Sequence, residues 1–179
     1  MRAAHAAGLR VCPIPGPSAL IAALSASGLP SDRFAFEGFL PARATARRAQ
    51  LTTLQHETRT LIFYEAPHRL LDCLDDLCVV FGAERPAVLA RELTKIFETV
   101  RNDNLQGLCD FVRADPQQQQ GECVILVQGA PAPLASEYDS ETLLRALLTE
   151  LPVKQAARLA AAISGGKKND LYDLALRLK

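Results

Sequence analysis

The pattern that most constrains the fold is a repeated alternation between short apolar runs and longer segments whose apolar residues recur at helical spacing. The run 60–65 (ThrLeuIlePheTyrGlu) is apolar enough for a strand buried on both faces. Between Pro67 and Gly82, leucines and a cysteine recur every three or four residues, as on one face of a helix. Pro suits the first turn of a helix and Gly suits its end. Strands and helices that alternate along one chain are typical of α/β folds.

The same two periods divide the rest of the chain. Further strands are predicted at 11–14, 34–40, 87–92, 97–101 and 122–128, and further helices at 2–8, 18–27, 46–56, 104–112, 140–150, 153–163 and 169–178. The third and fourth of these strands are joined by a connection short enough for a hairpin, so the sheet is expected to be mixed. The sequence therefore predicts an α/β domain, a mixed sheet with flanking helices, followed by a small helical domain.

Two short segments mark the boundaries near the end of the chain. The stretch 130–134 (AlaProAlaProLeu) predicts a linker, because Pro favours extended backbone. Gly165 and Gly166 separate the last two predicted helices at a spacing typical of a helix-turn-helix.

The segment 12–20 (CysProIleProGlyProSerAlaLeu) places a Pro/Gly loop between a predicted strand and a predicted helix. Ser18 is expected to cap that helix and Gly28 to end it. Ligands of open α/β sheets bind beyond the carboxyl ends of strands, where the first turn of a helix offers free N–H groups. A plain turn is the alternative, because Pro, Gly and Ser favour turns in any case. Since a binding loop of this kind needs a parallel sheet around it, its place near residue 1 leads us to expect an incomplete chain.

Composition excludes several classes of protein. With 179 residues, 49% hydrophobic and 22% charged, the chain can bury one substantial core, alone or with a small appendage. It has no apolar run of about 18 residues and no signal-peptide pattern, so we expect no membrane span and a cytoplasmic location. The five cysteines are odd in number and form no CxxC pair, which favours reduced core residues over disulfides, and we expect no metal site.

The charges are unevenly distributed. Residues 1–150 hold 14 basic and 18 acidic side chains, whereas residues 151–179 hold six basic and two acidic side chains. The end of the chain is therefore positive, and Lys167 and Lys168 would contact phosphate if these helices dock on a nucleic acid. A solvated pair of charges in a turn is the plainer alternative.

Five segments together carry a resemblance to a known family: PIPGPSALIAALSASGLP, FEGFLP, FYEAPHRLLDCLDDL, LARELTKIFET and GECVILVQG. In the same order and at similar spacing, they resemble segments of the bacterial small-subunit rRNA (cytidine-2′-O)-methyltransferases, which belong to the tetrapyrrole-methylase-like superfamily. The resemblance implies S-adenosylmethionine as cofactor, small-subunit rRNA or the ribosomal subunit as partner, and a homodimer. It also implies that residues 1–30 are a remnant of an N-terminal α/β domain, 31–130 the C-terminal α/β methylase domain, and 131–179 the linker and a small helical domain.

The resemblance also implies where the cofactor binds and which residues act on the substrate. The implied cofactor contacts are Pro15, Gly16, Pro17, Ser18, Tyr64, Ala66, Leu93 and Thr94. Glu65 and His68 are the candidate general bases for the ribose hydroxyl, and an imidazole is the better suited of the two near neutral pH. In the structural alternative, Glu65 accepts the first N–H groups of the following helix, and His68 is a solvated first-turn residue.

Basic side chains in four places are the candidate contacts to RNA phosphate. They are Arg43, Arg47, Arg48, Arg69, Lys95, Lys167 and Lys168. Simple surface ion pairing is the alternative for the segment 91–95.

Two other functions stay open. A methylase of a small tetrapyrrole, similar to a precorrin, would need a wide apolar trough and no basic tail. A non-catalytic RNA-binding or dimerisation module would bind RNA with a steep dependence on salt, whether or not the cofactor is present.

Overall fold

A computed structural model describes residues 1–131 and 140–178 of the chain. The chain divides into two compact units, Met1–Ala130 and Pro131–Lys179. Most of the linker predicted at 130–134 lies outside the described residues. The described helices are α1 (Arg2–Ala6), α2 (Ala19–Ser27), α3 (Ala44–Thr53), α4 (Leu70–Phe81), α5 (Leu105–Ala114), α6 (Ser140–Leu148), α7 (Val153–Ser164) and α8 (Lys168–Arg177). The strands are β1 (Phe34–Phe39), β2 (Thr60–Glu65), β3 (Pro86–Arg91), β4 (Thr99–Asn104) and β5 (Cys123–Val127), and short 3-10 turns cover Pro67–Arg69 and Pro116–Gln119.

The five strands form one mixed sheet in the order β1-β2-β5-β3-β4. β1 and β2 are parallel, β5 lies antiparallel between β2 and β3, and β3 and β4 form the predicted hairpin. The carboxyl ends of β1, β2 and β3 therefore share one edge of the sheet with the amino ends of β4 and β5. The α/β class and the mixed sheet are confirmed.

The two faces of the sheet bear different layers. On one face, Phe63, Leu89 and Ile125 pack against buried residues of α3, α4 and α5, and we call it the three-helix face. The opposite face carries Ile62, Val88, Val124 and Leu126, which pack against Ala23 and Leu24 of α2, and we call it the α2 face. Strands buried on both faces explain why β2 and β5 read as continuous apolar runs in the sequence.

β1 contains a bulge. Its pairing with β2 shifts register between Phe36 and Gly38, and Gly38 has a φ of 69°, in the left-handed region that favours glycine. The extra residue puts Phe36 opposite Ile62 and Phe39 opposite Tyr64, so both phenylalanines lie on the α2 face.

The predicted strand at 11–14 is wrong. These residues form no strand, and Ile14 is 91% exposed. Pro13 and Pro15 have no backbone N–H to donate to a neighbouring strand, and none of the described strands pairs with this segment. Ser18 stands at the N-cap of α2 without a capping side-chain hydrogen bond, whereas Gly28 ends the helix in the left-handed conformation as predicted.

The cysteines follow the prediction in part. All five are free thiols, and Cys73, Cys109 and Cys123 are buried, but Cys12 is exposed because the segment around it packs against no sheet. Residues 1–30 lie within the first unit, where α2 covers part of the sheet.

In the second unit, α6, α7 and α8 pack around a small core. Leu144, Ala156, Ala160, Leu171 and Ala175 are buried together there. Gly165, with a φ of 69°, ends α7, as the double glycine predicts. In the described parts of the chain, no helix has the length and apolar character needed to span a bilayer.

Candidate active site

A cavity of about 340 Å³ opens at the edge of the sheet where β1 and β2 end and β5 begins. It is lined by Ala19, Phe39, Tyr64, Glu65, Ala66, Pro67, Glu122, Cys123 and Val124. Carboxyl ends of strands are where α/β sheets bind ligands, and this volume lies in the range typical of small-molecule sites.

Tyr64 organises one wall of the cavity. Its hydroxyl accepts a hydrogen bond from the backbone N–H of Leu20, at 3.2 Å, in the first turn of α2. Its ring makes edge-to-face contacts with Phe36 and Phe39, with centroids 4.8 and 5.8 Å apart. The ring is therefore fixed from two sides, and the wall is preformed and largely aromatic.

Glu65 is a fixed part of the structure rather than a free base. Its side chain is fully buried, with one carboxylate oxygen accepting from the N–H of Ala66 at 2.8 Å and the other 3.2 Å from Nη2 of Arg69. Arg69 also donates to the carbonyl of Leu40, at 2.7 Å. Burial, with the nearby Glu65 carboxylate, raises the pKa of the Cys73 thiol beneath it. These contacts match the structural alternative for Glu65, and they occupy the Arg69 nitrogen Nη2 that could otherwise meet a phosphate.

His68 differs from Glu65 in its surroundings. It lies in the 3-10 turn after β2 and is exposed, directly after the cavity-lining Pro67, although His68 itself is not among the lining residues. Of the two candidate bases, His68 is the one with an accessible side chain.

The structure brings only some of the predicted cofactor residues together. Tyr64 and Ala66 line the cavity, whereas the exposed segment 15–18 does not, although Ala19, the next residue, does. Leu93 packs in the same apolar cluster as Tyr64 without lining the cavity, and Thr94 is exposed on the β3–β4 connection.

The predicted RNA contact of Arg47 needs correction. Arg47 is buried, its Nε is 2.6 Å from Asp76 of α4, and it donates to the carbonyl of Ala42, so it joins α3 to α4 and offers no phosphate contact. Arg48 is half-exposed, but its Nε also contacts Asp76, at 2.5 Å.

The remaining basic candidates are exposed and differ in their ion pairing. Lys95 is paired with Glu92 at 2.9 Å and with Glu122 at 3.3 Å. Arg43 is exposed and has no ion-pair partner among the described residues, and Lys167 and Lys168 are exposed in the second unit. Among the predicted RNA contacts of the first unit, Arg43 alone therefore makes no ion pair with a described residue.

Sequence reasoning missed several positions of the candidate site. Phe39, Glu122, Cys123 and Val124 line the cavity because of strand order and the bulge in β1, neither of which leaves a signal in one sequence. Surface ion pairing is the alternative predicted for the segment 91–95, yet Arg91 is buried. The strict apolar character of β3 on both faces is the signal that could have indicated its burial.

Comparison with known proteins gives two family matches along the chain. Residues 1–109 match the family described as tetrapyrrole (corrin/porphyrin) methylases, and residues 135–179 match the RsmI C-terminal HTH domain. The ribosomal RNA small subunit methyltransferase I of Pseudomonas aeruginosa is 59% identical over 180 residues, which cover 99% of this chain and 64% of that protein. The protein of the same name from Escherichia coli O157:H7 is 50% identical over 177 residues, covering 98% of this chain and 62% of that protein. The chain thus spans less than two thirds of the length of these relatives.

Two solved structures share the fold at low sequence identity. The methyltransferase CobJ aligns with a TM-score of 0.51 and 22% identity over 72% of this chain and 56% of that one. The cobalt precorrin-4 methyltransferase CbiF aligns with a TM-score of 0.51 and 16% identity over 69% of this chain and 54% of that one. At these identities the likeness concerns the fold alone.

Proposed function

Because the chain belongs to the tetrapyrrole (corrin/porphyrin) methylase family, we propose that it carries part of the site of a methyltransferase that uses S-adenosylmethionine and acts on small-subunit ribosomal RNA. The observation that carries the proposal is the preformed cavity beside Tyr64 at the carboxyl edge of the sheet. The high identity to relatives named ribosomal RNA small subunit methyltransferase I supports rRNA as the substrate class. A cytidine 2′-hydroxyl as acceptor, a homodimer and a cytoplasmic location belong to the same proposal.

The cavity fits part of such a cofactor. Phe39, Tyr64 and Val124 offer apolar surface for a purine ring, and Glu122 offers a carboxylate acceptor for hydroxyl groups. The cofactor, when bound, supplies a methyl group activated by a sulfonium. Ala66 lines the cavity in a turn that Glu65 and Arg69 hold in place, so this part of the wall needs little ordering on binding.

The protein's own contribution to methyl transfer is alignment and proton removal. Holding a ribose oxygen in line with the reacting carbon supplies most of the acceleration expected for a displacement of this kind. We propose that the imidazole of His68 accepts the proton of the ribose hydroxyl, because the carboxylate of Glu65 is buried and already binds the N–H of Ala66 and the guanidinium of Arg69.

Contacts to RNA would come from separate exposed cations. Arg43 follows β1, whose last residue, Phe39, lines the cavity, and it would meet a phosphate near the acceptor nucleotide. Lys167 and Lys168 at the start of α8 would add electrostatic attraction without reading sequence.

Isothermal titration of the chain with S-adenosylmethionine tests the proposal, together with transfer of a labelled methyl group to small-subunit rRNA. We expect binding that weakens about tenfold or more in Tyr64→Ala, which removes the fixed wall. Val79→Ala, an exposed change on α4, should leave binding unchanged.

Three outcomes would contradict the proposal. If Tyr64→Ala binds as well as the parent chain, the cavity is not the cofactor site. Tight binding of a precorrin-like pigment would favour the tetrapyrrole alternative. Salt-sensitive RNA binding without any binding of S-adenosylmethionine would favour the non-catalytic module.

A further inference from the structure

Arg91, the last residue of β3, is a buried cation that makes no ion pair within 4 Å with a described residue. It is 7% exposed, and among the described residues no carboxylate lies within ion-pairing distance of its guanidinium. Burying an unpaired charge is costly, so its polar contacts must compensate. The compensation comes from neutral oxygens: the carbonyl of Gln120 at 3.1 Å, the carbonyl of Phe97 at 3.4 Å and the hydroxyl of Thr99 at 3.4 Å.

These three acceptors belong to two segments that meet at the cavity edge of the sheet. Phe97 and Thr99 end the connection 92–98 and begin β4, whereas Gln120 closely precedes β5. One planar guanidinium therefore joins the β3–β4 connection to the start of β5. A guanidinium can donate in several directions at once from one rigid group, which an ammonium on a flexible stem does less well.

The connection that Arg91 supports has an unusual backbone. Glu92 and Thr94 have φ values of 50° and 65°, in a region that side-chain-bearing residues rarely adopt. Such residues persist where surrounding contacts determine them fully. The carboxylate of Glu92 accepts from Lys95 at 2.9 Å and from the N–H of Glu122 at 2.9 Å.

Gly121 completes this junction. Gly121 has a φ of 80°, in the left-handed region that favours glycine, and the carboxylate of Glu92 packs where a Cβ would stand, so a larger residue here would have to displace that side chain. Glu122, the next residue, lines the cavity with Cys123 and Val124. The position of that wall therefore depends on the junction between the connection and β5.

We propose that Arg91 is a positioning residue for the cavity, whose guanidinium fixes the connection 92–98 against the start of β5 and so fixes the wall formed by residues 122–124. Glu65 has the equivalent place on the other side of β5, because Cys123 lies in register with both Glu65 and Arg91. Each buried charge holds the turn that leaves its own strand. The consequence for S-adenosylmethionine rests on the proposed function, but the consequence for the backbone does not.

The experiment compares two buried arginines by hydrogen exchange and by ligand binding. Arg91→Lys keeps the positive charge but replaces the planar guanidinium, with its several donors, by a single ammonium group. Arg47→Lys makes the same change at the α3–α4 junction, away from the cavity lining. We expect exchange in 92–98 and 120–124 to speed up about tenfold in Arg91→Lys beyond any change in global unfolding, with a similar loss of affinity for S-adenosylmethionine. Arg47→Lys should change only global unfolding.

A milder variant keeps the proposal testable if Arg91→Lys does not fold. Thr99→Val removes one acceptor of Arg91 at nearly constant volume and should speed exchange in the same two segments by a smaller factor. Exchange that rises evenly over the whole sheet in the Arg91 and Thr99 variants would overturn the proposal. If the parent chain binds no S-adenosylmethionine, the proposed function fails for this chain, and the exchange data still decide the role of Arg91.

Discussion

The three-helix face and the α2 face of the sheet are covered very unequally. Three helices seal the first, whereas α2 packs against β2, β3, β4 and β5 and the outer strand β1 contributes no residue to the buried cluster on that face. Phe36 and Phe39 on that strand are 45% and 62% exposed. The apolar cavity wall of Phe39, Tyr64 and Val124 comes from the thinly covered face. The difference indicates that packing on the three-helix face supplies most of the stability, whereas the α2 face supplies most of the candidate binding surface.

The largest effect on stability should come from the three-helix face. Leu74→Ala on α4 removes a fully buried side chain and should lower the free energy of unfolding by about 3–4 kcal/mol, through lost transfer energy and the cavity left behind. Urea denaturation measures it, with Val79→Ala on the same helix as the exposed control, expected within about 0.5 kcal/mol of the parent chain. If Leu74→Ala and Val79→Ala lowered the free energy of unfolding equally, packing on the three-helix face would not be the main source of stability.

The matching change on the α2 face should cost less. Leu24→Ala on α2 is expected to lower the free energy of unfolding by about 2 kcal/mol, because a thin layer relaxes around a cavity more easily. The same urea titration compares it with Leu74→Ala. A loss as large as that of Leu74→Ala would mean that α2 seals its face as well as three helices do.

A smaller effect isolates the contact between α2 and the cavity wall. Tyr64→Phe removes the acceptor of the Leu20 N–H and should cost about 1 kcal/mol, the net value of one hydrogen bond. Thermal unfolding measures it, and the aromatic contacts to Phe36 and Phe39 should persist. No change in stability would show that the hydrogen bond from the Leu20 N–H does not help to hold α2.

The smallest effect concerns pH at the β3–β4 connection. Hydrogen bonds from Lys95 and the Glu122 N–H hold the pKa of Glu92 below its ordinary value. The folded form therefore gains from ionised Glu92 above that ordinary value, and the gain disappears as pH falls through the lowered one. We expect hydrogen exchange in 92–98, corrected for its intrinsic pH dependence, to speed up below about pH 4. Glu92→Gln should remove this step, and a step that persists in the variant would assign it to another carboxylate.

The secondary-structure elements whose apolar pattern alone indicates how they are buried could be predicted from the sequence. β2, α4 and β5 appear at the predicted places because their apolar periods are unambiguous, and Gly28 ends α2 because its backbone conformation requires glycine. The segment 11–14 is equally apolar, yet it forms no strand, since a strand also needs a neighbour to pair with.

The candidate site was less predictable because it depends on partners far away in the chain. Arg47 looks like any surface arginine until Asp76, 29 residues later, comes within 2.6 Å of it. Glu65 looked like a base until Arg69 and the N–H of Ala66 took up its oxygens. Residue type indicates what chemistry a side chain can perform, and its neighbours decide which of those roles is available.

Because the bulge in β1 is one extra residue, the strand should tolerate the loss of one residue better than the gain of one. Phe39 faces outward beside Tyr64, while Leu40 is buried in the core of the opposite face. Loss of the codon for Glu37, which has no partner in the register, would remove the bulge and leave Phe36 opposite Ile62 and Phe39 opposite Tyr64. Gain of one codon between those for Gly38 and Phe39 would instead slide the end of the strand by one step, sending Leu40 to solvent and Phe39 inward. Gene libraries should therefore yield many folded proteins with Glu37 deleted and almost none with one residue inserted before Phe39.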